Sequence, residues 1–93
     1  MAFTKAMGER AVRKAGGLKM GIIQEVQKMG YWVDDDTDRA HPKMFNLKVW
    51  NDDGSMVRIY KTYRGTVEVQ KWKPVDMKYS GIPTFEPSGK KSL

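Results

Sequence analysis

Leu18, Ile22, Ile23, Val26 and Met29 recur at intervals of three and four, with Lys19, Gln24, Glu25, Gln27 and Lys28 between them. This is the period of an amphipathic helix, and it predicts a core helix over 18–29. Gly30 follows where a left-handed residue commonly closes a helix. Upstream, Phe3, Met7 and Ala11 stand four apart among charges, which suits a shorter helix over 3–14. Gly16-Gly17 then breaks or bends the chain. The alternative is one helix over 4–29, at a cost of about 1 kcal/mol for each internal glycine relative to alanine.

From residue 43 the period falls to two. Asp52-Asp53-Gly54 and Tyr63-Arg64-Gly65 each have the form of a three-residue hairpin loop, a type I turn whose third residue is a left-handed glycine. The first loop sets Trp50 opposite Met56, Val49 opposite Val57, Lys48 opposite Arg58 and Leu47 opposite Ile59. The second sets Tyr60 opposite Glu68, Ile59 opposite Val69, Arg58 opposite Gln70 and Met56 opposite Trp72. The two registers independently put Phe45, Leu47, Val49, Val57, Ile59, Val67 and Val69 on one face, whereas a two-residue loop at Arg64-Gly65 would split that set. The prediction is a three-stranded antiparallel meander over 43–50, 56–63 and 66–73, its inner face covered by the helix at 18–29.

The opposite face then reads in rows: Trp50, Met56 and Trp72; Lys48, Arg58 and Gln70; Asn46, Tyr60 and Glu68; Met44, Thr62 and Thr66. Strands two apart lie about 9–10 Å from each other, so both tryptophans would stand beside a cationic row. Residues 76–93 have no helical period and form an extended, partly mobile tail after a single domain over 1–75. Met77, Tyr79, Ile82 and Phe85 in that stretch are apolar enough to fold back over the tryptophan row and make it a second small core; uncovered, the row is a binding face. The fold class is α+β, with an N-terminal helical segment packed on the meander and an irregular C-terminal tail.

Composition sharpens this picture in three ways. A chain of 93 residues without cysteine has a thin core that no disulfide or thiolate-bound zinc supplements, and a reducing compartment suits it. No window holds the roughly 18 uninterrupted apolar residues of a membrane span, and charges interrupt the first twenty residues where a signal peptide is apolar; the expected location is cytoplasmic, with no membrane partner. The net charge of +6 is uneven: residues 1–30 carry six basic and two acidic groups, 31–39 one and four, and 40–93 ten and five. Two basic blocks around an acidic hinge suit a polyanionic partner, although basic charge also serves solubility alone.

Residues 31–42, with their acidic run, read as a loop. Asp34, Asp36 and Asp38 have the alternate spacing of a calcium loop, but Arg39 stands where glycine is required and Phe45 where a bidentate acid is required, so a solvated acidic turn is expected. His41, the only histidine, precedes Pro42 without a second ligand or an orienting partner. Neither a phosphate-binding glycine loop nor a nucleophile with its base is present, and no enzyme activity, metal or cofactor is expected.

The order of one helix and three strands, with "IIQEVQKMGYWV" before the first strand and "HPKMFNLKVW" entering it, resembles the double-stranded-RNA-binding domain over roughly residues 18–60. That family closes with a second helix opened by a lysine pair; here Lys90-Lys91 stands almost at the last residue, and no binding residue is carried over.

The expectation from the residues themselves is a small nucleic-acid-binding protein. Arg10, Arg13, Lys14, Lys19, Lys48, Arg58, Arg64, Lys71 and Lys73 would contact phosphates; Trp50, Tyr60 and Trp72 would stack on bases, with Met56 in the same face. The second expectation is a protein-interaction module of the phage or mobile-element type, which binds and inhibits a host protein complex as anti-CRISPR and polymerase-inhibiting proteins do, since Trp, Tyr, Met and Arg are enriched at interfaces. A third is a homodimer formed through the edge strands at 43–50 and 66–73.

Overall fold

Thr4 opens the first helix: its backbone is extended, and its hydroxyl accepts the Met7 N–H at 3.2 Å, satisfying one of the donors a helix start leaves free. The computed structural model describes residues 2–41, 43–75 and 84–87. Helix α1 spans Lys5–Lys14 and α2 spans Lys19–Lys28, so the chain adopts two helices rather than one. Between them Gly16 and Gly17 both have positive φ, and their N–H groups return to the carbonyls of Arg13 and Val12. Gly30 and Tyr31 close α2 the same way, on Gln27 and Val26.

The strands are β1 (Asp34–Asp35), β2 (Phe45–Trp50), β3 (Met56–Lys61), β4 (Val67–Val75) and β5 (Thr84–Pro87), in sheet order β1-β2-β3-β4-β5 with every neighbouring pair antiparallel. The meander has the register read from its turns. Trp50 faces Met56 and Met56 faces Trp72; Leu47 faces Ile59 and Ile59 faces Val69. Both hairpins close with a bond from the glycine N–H to the carbonyl three residues earlier, Gly54 to Asn51 and Gly65 to Thr62, and both glycines have φ near 90°.

Three features depart from the sequence expectation. Asp34–Asp35, expected in a loop, pairs with Lys48 and Leu47. In the tail, expected to be irregular, Thr84–Pro87 pairs with Trp72–Val75. The two meander strands expected to be free edges are therefore each paired along part of their length. The alternative in which Met77, Tyr79, Ile82 and Phe85 cover the tryptophan row turns on side chains outside those described.

The third departure concerns the helical layer. Phe3, Ala11, Ile22, Val26, Phe45, Leu47, Val49, Val57 and Ile59 form one buried cluster, so both helices contribute to the core. Yet α1, not α2, comes nearest the sheet. A Cβ placed on Gly8 would lie 2.9 Å from Val69 Cγ1, 3.3 Å from Val57 Cγ1 and 3.5 Å from Ile59 Cδ1. The bare backbone at Gly8 lets the helix seat against β3 and β4. At the other end of the same face Asn51 clamps the chain start: its Oδ1 accepts the Phe3 N–H at 2.7 Å, and its Nδ2 donates to the Phe3 carbonyl and the Ser55 hydroxyl, each at 3.1 Å.

Candidate functional site: a charged sheet face and a basic cleft

Strand alternation delivers Lys48, Trp50, Met56, Arg58, Tyr60 and Trp72 to the outer face, as the register requires. Their surroundings differ from a bare platform. Trp50 is 46 % exposed, but Met56 beside it is only 6 % exposed and Trp72 is half-buried. The Trp72 indole N–H is shielded from solvent with no acceptor among the described residues.

The row of Lys48 and Arg58 is already engaged. Lys48 Nζ donates to Asp36 at 3.0 Å, and Trp50 Nε1 to Asp34 at 3.4 Å. Arg58 Nε donates to Asn46 Oδ1 at 2.8 Å, and its guanidinium lies 4.2 Å from the centre of the Tyr60 ring. The Tyr60 hydroxyl donates to Glu68 and accepts from Gln70 Nε2. The hydrogen bond to Glu68, followed by burial and the Glu68 charge, pushes the Tyr60 phenol above its ordinary range against the opposing effect of Arg58.

Strand β1 causes much of this. Asp34 and Asp36 turn to Trp50 and Lys48 on the outer face, while Asp35 turns the other way and pairs with Lys19 of α2 at 2.8 Å. Two of the expected phosphate contacts and one expected stacking group are thus held by three consecutive aspartates. Burial raises the Asp35 pKa, but the hydrogen bonds from Lys19 and Thr37 and the Lys19 charge outweigh it, and the carboxyl titrates below its ordinary value. A pKa lower in the folded state than in the unfolded one stabilises at pH values above the ordinary carboxylate range, and that contribution is lost as pH falls through the lowered value. Lys19→Gln is expected to move the Asp35 pKa upward toward its ordinary value, read from carboxyl chemical shifts between pH 2 and 6; an unmoved Asp35 would mean that Lys19 does not hold it.

The remaining expected contacts lie elsewhere. Arg10, Arg13 and Lys14 are exposed on α1 without an ion pair among the described residues. Lys71 and Lys73 share the helix-bearing side of β4, and Lys71 lies near enough to Asp53 to lower its pKa, behind the larger effect of hydrogen bonds from Ser55. Arg64 sits in the β3–β4 turn, its guanidinium 5.7 Å from the Tyr63 ring centre. The expected residues therefore fall on two faces and one turn rather than on one continuous surface.

Arg64 borders a cleft of about 580 Å³ that the sequence reading did not anticipate. Its walls are the α1–α2 junction at Gly17 and Leu18, the loop from Thr37 to Met44, and the β3–β4 turn. Among the described residues, Arg39, Lys43, Lys61 and Arg64 line it with no ion pair, Lys19, also at the wall, is held by Asp35, and Asp38 is the one acidic lining residue. The Asp38 carboxylate accepts the Ala40 N–H at 2.9 Å and lies 3.9 Å from His41 Nε2. Phe45 and Met44 supply an apolar part, and Tyr63 stands 73 % exposed at the same wall. A second concavity, about 330 Å³, adjoins it on the outer face and shares Asp38, Met44, Phe45, Lys61 and Tyr63. The sequence signal for this end was the run Lys61 to Arg64, which places two cations and an aromatic ring around one turn.

No family model matches the chain, and no curated protein or solved structure is significantly similar to it. Among the described residues no helix is long and apolar enough to cross a membrane.

Proposed function

We propose that the protein binds nucleic acid, with a preference for single strands. The observation that carries this reading is the display of cations without acidic partners among the described residues, at Arg10, Arg13 and Lys14 on α1 and at Arg39, Lys43, Lys61 and Arg64 around the cleft, together with the exposed rings of Tyr63 at the cleft wall and Trp50 on the outer face. Cations without fixed counter-charges attract phosphates and release their counterions, and exposed rings stack on unpaired bases. The outer cationic row contributes once phosphates replace Asp34 and Asp36.

Fluorescence anisotropy of labelled single- and double-stranded DNA and RNA tests this. Micromolar or tighter binding of single strands is expected, weakening steeply between about 50 and 200 mM salt and quenching tryptophan emission. Absence of binding at low salt would overturn the reading. A protein-interaction role is the second reading, favoured by Trp32 at 81 %, Leu18 at 70 % and Met20 at 63 % exposure on or next to α2; it calls for a stoichiometric protein partner that salt affects little.

A further inference from the structure

We propose that the cleft beneath the Tyr63–Gly65 turn is a nucleotide subsite, in which Arg39, Lys43, Lys61 and Arg64 hold phosphate oxygens and the Tyr63 ring takes the base. This deepens the nucleic-acid reading and rests on it, with the nucleotide supplied as a unit of a strand. Four observations converge on this cleft. Its volume of about 580 Å³ lies within the range of about 300–1,000 Å³ typical of small-ligand sites. Four cations from three separate segments, the loop at 39–43, the end of β3 and the β3–β4 turn, meet around it without an ion pair among the described residues. The single carboxylate of Asp38 leaves this convergence of like charge in excess, and an entering anion relieves it.

The lining is also mixed in the way a nucleotide requires. Phe45 and Met44 offer apolar contact beside the cations, and Tyr63 is exposed with the Arg64 guanidinium near its ring. Guanidinium and ring can then take phosphate and base of one unit. Finally, the adjoining concavity at Arg58, Tyr60 and Thr62 continues from the shared wall along the outer face, which gives a strand a path beyond the first unit.

Two variants of equal charge test the proposal. Arg39→Gln/Arg64→Gln removes two exposed cleft cations, and Lys5→Gln/Lys28→Gln removes two exposed cations of the helices that are assigned no phosphate contact. Thermal melts establish that both fold. The cleft variant is expected to lose at least tenfold in affinity for a labelled single strand at low salt, with a fall of about 1.4 in the slope of log K against log salt, while the Lys5/Lys28 variant loses less than threefold. Equal losses would overturn the subsite and leave nucleic-acid binding intact. If the wild-type protein binds no strand, amide shifts on titration with a nucleoside triphosphate decide: shifts confined to residues 39–41, 43 and 61–65 sustain the subsite with a free nucleotide as its ligand and remove the nucleic-acid reading, and no shifts there overturn both.

Discussion

Gly8→Val is expected to lower the stability of the folded chain by about 3 kcal/mol, a fall in melting temperature on the order of 15 °C for a domain of this size. The first atom of any side chain at this position would stand 2.9 Å from Val69 Cγ1 and 3.3 Å from Val57 Cγ1, closer than carbon atoms pack. Both neighbours are β-branched and stiff about χ1, and Val57 is fully buried, so neither yields without disturbing the core. The helix must lift away from β3 and β4. Gly8→Ala is expected to cost less, because alanine recovers about 1 kcal/mol of helix propensity against a smaller clash. Ala6→Val, on the exposed side of the same helix, supplies the comparison and should change stability by only about 0.5 kcal/mol. Urea unfolding measures all three. A Gly8→Val protein as stable as the wild type would mean that α1 is not seated on the sheet.

Asp34→Asn/Asp35→Asn/Asp36→Asn is expected to tighten binding of single-stranded nucleic acid about tenfold at low salt, with the gain shrinking as salt rises. Three consecutive carboxylates occupy Trp50, Lys19 and Lys48, which are groups that phosphates and bases would otherwise approach. The attachment is weak enough to yield. Both ion pairs are partly exposed, a class that contributes about 0–1 kcal/mol each, and β1 is only two residues long. Glu9→Gln/Glu25→Gln/Asp52→Asn changes net charge by the same amount away from this segment, and a gain below about threefold is expected from it. Anisotropy with one oligonucleotide across a salt series compares the two. Equal gains would show that the aspartates act only through total charge and do not compete for the surface.

The meander was legible because two independent signals coincided. Gly54 and Gly65 specified the turns, and the alternation from Phe45 to Val69 specified which side is buried; a slip of one residue in either strand would contradict one of them. Strand β1 was not legible, since two aspartates have low strand propensity and no apolar alternation. Their side chains find Trp50 and Lys19, and that of Asp36 next to them finds Lys48, across chain separations that no local pattern encodes. The placement of α1 against the sheet was hidden for a different reason. Hydrophobic periodicity points to the richer stripe of α2, whereas close approach at Gly8 depends on the absence of a side chain, which carries no apolar signal. At the candidate site, single residues such as Lys48 and Arg58 were readable, but their hydrogen bonds to Asp36 and Asn46 depend on side-chain placement that the register alone does not specify. The cleft was missed because its cations come from separate segments whose meeting depends on how the 37–44 loop folds back.

The clamp between Asn51 and Phe3 joins residues 48 apart in the chain. Asn51 is positioned by the turn that returns β2 to β3, so its amide has no fixed direction until that hairpin closes. Helix α1 is a poor helix in isolation, ten residues long with a glycine at its centre, and it gains its stability by docking. Amide hydrogen exchange is therefore expected to be faster in α1 than in β2 and β3, and exchange as slow in α1 as in the hairpin would show that the chain start is held independently of docking.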